Sequence, residues 1–379
     1  MKISYVNGIC LSNDAISNAI RDEILWLNEF HDVKLYTYAC DNPALPQMIV
    51  NDARDIIFDA HFQASDMVIF HFGVFYPLFN VITATPKGAQ RMVVFHNITP
   101  KKFVNPSGHH LIDSSFAQLA NMHWADHIIC VSKTNSNVLR QSGIDKPVTV
   151  MPLALHTSVQ APLAKPSFHD QTVRFVFVGR FVRSKGPVEL LDALAEVMAA
   201  RPRLHARLDL VGSLTFSDQQ LLEDIRAAIG SLESRFGARL QIMLRGSAPE
   251  AEKNQCLAEA DIMVLPSYHE GFCVPILEAL ASGCKIIAYD NSNIPDITGN
   301  LGQLVPTGDK PALAGAMLTA ADAVGEPEWH SADSTGSDSG YTAHARQAFA
   351  YVSAFTPRLT RFRFLNLLRR LTPAFAWNK

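Results

Sequence analysis

Two glutamates in the stretch HEGFCVPILEAL (269–280) stand eight positions apart inside a largely apolar segment. Burying a charged group without a partner is costly, so Glu270 and Glu278 are candidates for ligand binding. The apolar run DIMVLPS before them is typical of a buried strand, and Pro275 is typical of a helix's first turn. The pattern therefore predicts Glu270 on a loop and Glu278 in the early turns of a helix, with Gly271 allowing a ligand close to the backbone.

The start of this predicted helix offers a binding site for a diphosphate. The backbone N–H groups of Phe272, Cys273 and Val274 would point out of its N-terminus, which favours anions. The two carboxylates on either side could accept hydrogen bonds from the hydroxyls of a sugar or ribose. Alternatively, Glu278 only complements the helix dipole and Glu270 is solvated. The stretch taken alone leaves both interpretations open.

A second candidate is the basic loop in VFVGRFVRSKGPVELLDAL (176–194). The pattern predicts a strand that ends at Gly179 and a helix that begins at Pro187, with a loop between them that contains Arg180, Arg183 and Lys185. An anion there would gain from both the side-chain charges and the helix dipole. A solvated basic loop is the alternative. Because neither a Walker loop nor a G-x-G-x-x-G motif follows a strand, nucleotide hydrolysis and NAD binding are disfavoured.

The elements around these loops alternate between apolar strands and amphipathic helices, which predicts parallel sheets covered on both faces. We expect two Rossmann-like domains: an N-terminal domain (1–160) and a C-terminal domain (161–354). They would be joined by a linker (156–172), and a polar segment (325–340) is predicted to be a mobile loop. In such sheets ligands bind beyond the carboxyl ends of the strands, where both candidate loops lie.

Composition excludes several classes of protein. At 379 residues, with 48% hydrophobic and 18% charged residues, the chain is globular and long enough for two domains. A net charge of −3 gives no indication of nucleic-acid binding. The six cysteines are scattered and no signal peptide or membrane span is recognisable, so we expect a cytoplasmic protein, or one on the cytoplasmic face of the inner membrane.

Taken together, the motifs resemble the retaining GT-B glycosyltransferases of family 4 (glycosyl transferases group 1). Their E-x7-E motif is matched from Glu270 to Glu278, and their G-R…K-G motif from Gly179 to Gly186. The stretches VVFHNITP, CVSKTN and RGSAPEAEKNQCLAEADIMVLPS are similar to further family blocks. The resemblance covers most of the chain and implies two Rossmann-like domains that face each other across a cleft. The N-terminal domain (1–160) would be on the acceptor side, and the C-terminal domain (161–354) would bind the nucleotide sugar.

The resemblance also implies roles for single residues. Arg180 and Lys185 would bind the donor diphosphate and stabilise the leaving nucleotide. Glu270 would bind hydroxyls of the transferred sugar, Glu278 the ribose, and His96 the donor sugar near the reacting centre. The remaining expected donor contacts are Gly8, Gly179, Ser247, Gly271, Phe272, Cys273 and Val274. Two departures from the family leave contacts unassigned: Gly8 stands alone where a glycine-rich loop is usual, and MPLALHT replaces the common P-N-G-V-D block.

The predicted function is transfer of a hexose, with mannose as one candidate, from a nucleotide-diphosphate sugar to a glycan or polyprenyl-diphosphate-linked acceptor in surface polysaccharide biosynthesis. We expect neither a metal nor another cofactor, because the chain has no Asp-x-Asp pair. The alternatives are a non-catalytic nucleotide-sugar-binding partner of a transferase and a sugar-nucleotide epimerase. The basic C-terminal segment (355–379) is predicted either to pack back on the N-terminal domain or to contact an anionic membrane.

Overall fold

A computed structural model describes residues 1–12, 14–156, 161–214, 217–246, 248–331 and 338–373. The chain forms two compact units. The first consists of Met1–Ala154 and the chain from Phe355 onward, and the second of Leu155–Ala354.

The first unit is built on a parallel sheet whose strands run in the order β5-β3-β1-β6-β7-β8-β9, with a short separate pair, β2 and β4. The strands are β1 (Lys2–Val6), β2 (Ile9–Cys10), β3 (Asp32–Thr37), β4 (Ala39–Cys40), β5 (Gln47–Ile49), β6 (Met67–Phe72), β7 (Gln90–Phe95), β8 (His127–Cys130) and β9 (Val148–Val150). All six residues of β6 are buried, as expected for a central strand covered on both faces. The strand order reverses between β1 and β6, which makes this position the topological switch point of the sheet.

Helices cover the sheet of the first unit: α1 (Ala15–Asn28), α2 (Ala53–Ile57), α3 (Ala60–Gln63), α4 (His109–Gln118) and α5 (Lys133–Gln141). The longest of them, α1, begins where the carboxylate of Asp14 accepts a hydrogen bond from the backbone of Ser17. Its buried face contains Ile20, Ile24 and Leu27 at helical spacing, and this face positions α1 against the sheet.

The second unit repeats the same architecture with the strand order β12-β11-β10-β13-β14-β15. Its strands are β10 (Thr172–Val178), β11 (His205–Val211), β12 (Leu240–Arg245), β13 (Ile262–Leu265), β14 (Lys285–Asp290) and β15 (Gly302–Pro306). Its helices are α6 (Ser167–Asp170), α7 (Pro187–Ala200), α8 (Gln219–Phe236), α9 (Glu250–Glu259), α10 (Val274–Ala281), α11 (Ile294–Thr298), α12 (Lys310–Gly325), α13 (Pro327–His330) and α14 (Gly340–Val352). Here the order reverses between β10 and β13.

The closing helix, α15 (Pro357–Leu371), belongs to the first unit and packs on α1. The rings of Phe364 and Trp26 lie 6.1 Å apart, and Arg361 donates to the carboxylate of Glu29. The opposite face of α15 is exposed and includes Phe362. Among the described residues, no helix has the length and apolar character needed to span a bilayer.

Two sequence-based predictions of irregular structure are partly wrong. The predicted linker (156–172) contains α6 and the buried Lys165, whose ammonium group donates to three backbone carbonyls, those of Leu257, Ala258 and Ser282. The predicted mobile loop (325–340) contains α13, because Trp329 is buried against Tyr341. Residues 157–160 and 332–337 of these segments lie outside the described residues.

Candidate functional site

The candidate site of the second unit lies at the switch point of its sheet. The basic loop follows β10 and the loop with the glutamates follows β13, and these two strands are neighbours. The backbone N–H of Tyr268 donates to the carbonyl of Ser184 over 2.8 Å, which joins the two loops directly. The two loops, whose residues Lys185 and Glu270 are 85 positions apart in sequence, therefore form one surface.

Lys185 and Glu270 meet on this surface. The Lys185 ammonium nitrogen lies 2.6 Å from Oε1 of Glu270, and both side chains are largely buried, with exposed fractions of 18% and 8%. The turn that presents the lysine requires glycine next to it: Gly186 has φ +65°, and a Cβ there would collide with the carbonyl of Pro266. Lys185, the candidate for binding phosphate, and Glu270, the candidate for binding the sugar, thus form an ion pair.

The loop that ends at α10 has an unusual backbone. Cys273 caps the helix with φ +77°, a left-handed conformation that is uncommon for a residue with a side chain. The amide of Asn293 donates to the carbonyl of Phe272 over 2.8 Å and holds this turn in place. Gly271 and Val274 belong to the same turn. Burial, and then the nearby Glu270, raise the pKa of the Cys273 thiol well above its usual range, which makes it a poor nucleophile at neutral pH.

The second glutamate also has a lysine partner. Oε1 of Glu278, in the second turn of α10, lies 2.7 Å from the ammonium nitrogen of Lys253 on α9. Sequence reasoning did not identify Lys253. Each of the two glutamates therefore forms a lysine pair at the start of one helix, and both are accessible at less than a tenth of their surface.

The other residues of this unit that were predicted to contact the donor are Gly179, Arg180 and Ser247. Gly179 follows β10 directly, and its N–H donates to the carbonyl of Val211 over 2.9 Å. Arg180 is exposed beside it. Ser247 lies outside the described residues, so its predicted contact has no geometry here. Within the ranges described, no three His, Cys, Asp or Glu side chains form a cluster suited to a metal ion.

In the first unit, the predicted site residue His96 follows β7 and is buried. The backbone N–H of His96 donates to the carbonyl of Phe72 over 2.8 Å, and the backbone carbonyl of His96 accepts from Nδ2 of Asn135 over 2.6 Å. The backbone on both sides of the ring is therefore fixed. The other predicted residue of this unit, Gly8, follows β1, and its carbonyl accepts from Tyr38 and Thr37.

A chain of buried polar groups leads away from His96. Nε2 of His96 lies 2.8 Å from Nδ1 of His71, and Nε2 of His71 lies 3.0 Å from Oε2 of Glu23. The hydroxyl of Tyr5 donates to the same carboxylate oxygen over 3.1 Å. None of the four residues is more than 7% exposed. We call these four residues the histidine relay.

Burial determines the charge states at both ends of the histidine relay. Desolvation, reinforced by the neighbouring His71, lowers the pKa of His96 well below its usual range, so its ring is neutral at physiological pH. Desolvation, and then Glu23, raise the pKa of Tyr5, so its phenol stays protonated. Sequence reasoning missed Glu23 and His71. The available signal was an acid on the apolar stripe of α1 and a histidine within the apolar run MVIFHF.

Comparison with known sequences matches part of the chain to a family. Residues 172–322 match the model of the family "Glycosyl transferases group 1", so the second unit carries the domain of this family. The chain is also similar to the phosphatidyl-myo-inositol mannosyltransferase of Mycobacterium leprae, at 32% identity over 148 residues, which are 38% of this chain. The aligned part spans 36% of that relative, and the chain matches about a third of the length of such curated relatives. For residues 172–322, the match confirms the group 1 family that the E-x7-E and G-R…K-G motifs predicted.

Comparison with solved structures covers nearly the whole chain. The sucrose-phosphate synthase of Thermosynechococcus elongatus matches with a TM-score of 0.71 at 17% identity, over 99% of this chain and 100% of its own. The Anabaena protein HepE, solved in complex with UDP-glucose, matches with a TM-score of 0.70 at 15% identity, over 98% and 100%. At such low identity these matches establish the fold, and the predicted GT-B class is confirmed.

Proposed function

We propose that this chain, with a group 1 glycosyltransferase domain on a GT-B fold, transfers a hexose from a nucleotide-diphosphate sugar to an acceptor hydroxyl. One observation carries the proposal: Lys185 and Glu270 meet beside the N-terminus of α10, at the switch point of the second sheet. A cation and helix-start N–H groups suit a diphosphate, and a carboxylate beside them suits sugar hydroxyls.

The leaving group sets the chemical problem. As the bond from the anomeric carbon to the phosphate oxygen breaks, its electron pair passes to the diphosphate while the sugar becomes cationic. In this proposal Arg180, Lys185 and the backbone N–H groups of residues 272–274 stabilise the growing negative charge. Because fixed cations and oriented amides are preorganised for this purpose, we propose that no metal ion is required.

The carboxylates bind the neutral parts of the donor in this account. Glu270 accepts hydrogen bonds from hydroxyls of the transferred sugar, Glu278 from the ribose, and His96 contacts the sugar near the anomeric carbon. We propose that the configuration of that carbon is retained. The acceptor hydroxyl would attack on the face from which the phosphate departs and transfer its proton to a phosphate oxygen, so that no covalent sugar–enzyme bond forms.

The donor and acceptor classes follow from what is similar to this chain. A named mannosyltransferase among its relatives makes mannose a candidate, and a structural neighbour bound to UDP-glucose makes UDP a candidate nucleotide. We propose a glycan or polyprenyl-diphosphate-linked acceptor, which would place the protein in surface polysaccharide biosynthesis on the cytoplasmic face of the inner membrane.

Peripheral membrane contact is supported by the exposed face of α15. Phe362 is 63% exposed and Leu359 39%, and the exposed residues beside them include Arg358 and Arg363. Apolar side chains among arginines suit an anionic lipid surface, where each basic residue adds about 1 kcal/mol.

Flotation with vesicles of phosphatidylglycerol and phosphatidylcholine tests this contact without removing α15, whose inner face packs on α1. We expect the double variant Phe362→Ser, Arg363→Ser to float less than the wild type. The matched control is Phe349→Ser on α14, where the ring is 61% exposed. Equal flotation of all three proteins would contradict the membrane proposal.

The test of the function has two steps. A thermal-shift screen with UDP-, GDP- and other nucleotide sugars identifies the donor, and nucleoside diphosphate release is then measured with and without glycan and lipid-linked acceptors. Release that requires an acceptor supports transfer. Acceptor-independent conversion of the donor would indicate an epimerase or hydrolase, and donor binding without any turnover would indicate a non-catalytic partner.

A further inference from the structure

Three residues of the histidine relay, Tyr5, Glu23 and His71, have no role among those that the resemblance to the family implied. The relay links β1, α1, β6 and the residue after β7, so four separate elements contribute one buried side chain each. Buried polar groups are costly unless each is paired. Three buried side chains joined by hydrogen bonds to His96 and to one another therefore call for a chemical explanation.

The hydrogen-bond partners along the relay support one placement of its protons. Oε2 of Glu23 accepts from the hydroxyl of Tyr5 and lies 3.0 Å from Nε2 of His71. If this oxygen accepts both hydrogen bonds and the His71 ring has a single proton, that proton is on Nε2 and Nδ1 of His71 is a lone pair. That lone pair faces Nε2 of His96 at 2.8 Å, so Nε2 of His96 must donate. The remaining nitrogen of the neutral His96 ring, Nδ1, is then an acceptor.

The stacking of the rings of Tyr5, His71 and His96 supports a fixed orientation of the two imidazoles. The rings of His71 and His96 have centroids 5.1 Å apart and planes 27° apart, and the ring of Tyr5 also stacks on His71, with centroids 6.0 Å apart. The hydroxyl of Tyr76 donates to the backbone carbonyl of His71 over 2.8 Å. Neither imidazole can turn over without breaking a buried hydrogen bond.

We propose that Glu23 and His71 are positioning residues that hold His96 as the tautomer protonated on Nε2, so that its Nδ1 accepts a hydrogen bond from a hydroxyl of the bound sugar. The identity of that sugar as the donor's rests on the proposed function, but the tautomer does not. The relay thus selects a ligand that donates a hydrogen bond to His96. A ring held as the other tautomer would instead present an N–H.

The tautomer is tested directly by nuclear magnetic resonance. Long-range ¹H–¹⁵N correlation spectra of the full chain with ¹⁵N-labelled histidine distinguish the two neutral tautomers, and a His96→Gln spectrum assigns the signal among the 14 histidines. We expect protonation on Nε2 in the wild type. We expect a mixture in Glu23→Gln, because an amide can donate to His71 as well as accept from it. A wild-type His96 protonated on Nδ1, or a spectrum unchanged by Glu23→Gln, would overturn the proposal.

Kinetics give a second readout. Loss of an orienting partner typically costs 10- to 100-fold, so we expect Glu23→Gln and His71→Leu to lower kcat by about that factor while UDP or GDP affinity is unchanged. His71→Asn should recover part of the loss, because its amide oxygen can accept from Nε2 of His96. Tyr36→Phe is the matched control, since it removes another phenol that donates to a carboxylate in the same unit, that of Asp59.

Two kinetic results would contradict the positioning role. One is an equal loss of kcat in Tyr36→Phe and Glu23→Gln, which would indicate general destabilisation. The other is a loss of nucleotide affinity that matches the loss of kcat. If the wild type transfers no sugar at all, the proposed function fails, and the tautomer measurement still decides on the relay by itself.

Discussion

The two units place their polar side chains at equivalent points of similar sheets, but they support them differently. In the second unit Lys185 and Glu270 form an ion pair over 2.6 Å, and lysines pair with both glutamates. In the first unit His96 is neutral and is held by another histidine at 2.8 Å. The second site thus presents charge, suited to a diphosphate, and the first presents a neutral ring, suited to a hydroxyl.

This difference suggests a division of labour in the proposed reaction. Charge belongs where the leaving group becomes anionic, while a neutral acceptor belongs where hydroxyls are oriented without competing for the diphosphate. We therefore expect Lys185→Ala in the second site to lose nucleotide binding, and variants of His96 in the first site to lose turnover alone.

The largest effect is expected for Lys185→Ala. Removing a preorganised group that stabilises the leaving charge typically costs 10²- to 10³-fold in kcat, and we expect about that loss in nucleoside diphosphate release. Arg201→Ala is the matched control, since Arg201 pairs with Asp322 on the exposed surface of the same unit. Near-normal turnover of Lys185→Ala, with circular dichroism like that of the wild type, would refute the phosphate assignment.

The first unit should respond differently. Misplacing a reacting group costs about 10²-fold, so we expect His96→Ala to lower kcat by about this factor. UDP or GDP should still raise the melting temperature of the variant as much as that of the wild type. Loss of that shift would remove the distinction between the two sites.

Within the second unit, the two glutamates should separate. A hydrogen bond to a charged group contributes about 1.5–3 kcal/mol, or about 10- to 100-fold. We expect Glu270→Ala to lose kcat by this factor, and Glu278→Ala to lose less kcat and to raise KM for the donor. Nucleotide binding that is lost only in Glu270→Ala would mean that the two roles are reversed.

The smallest effect is expected from removing divalent ions. With Arg180 and Lys185 as fixed cations, turnover after dialysis against EDTA should equal turnover in Mg²⁺. A loss that Mg²⁺ or Mn²⁺ restores would show that a metal ion contributes to the charge that we assign to side chains.

Sequence reasoning reached the second site because its signals are local. The E-x7-E and G-R…K-G motifs each lie within one strand–loop–helix unit, and the chain alternates strands and helices clearly enough to predict both sheets. It could not predict that Lys185 and Glu270 touch, since this depends on β10 and β13 being neighbours. Nor could it predict Lys253, which comes from another helix.

Sequence reasoning could not predict the histidine relay either, because its residues are far apart in the sequence. Glu23, His71 and His96 are separated by 48 and 25 positions and meet only because α1 packs against β6 and β7. The predicted mobile loop over 325–340 is wrong where α13 lies, and for a different reason. Its polar composition gave no indication that Trp329 would be buried within the short helix α13.

Calorimetric titration of the full chain with UDP and with GDP tests the central claim most directly, because the claim is that the switch point of the second sheet binds a nucleoside diphosphate. We predict saturable binding of one of them, lost in Lys185→Ala and retained in Arg201→Ala. Absence of binding to either nucleotide, or binding that Lys185→Ala leaves unchanged, would contradict it.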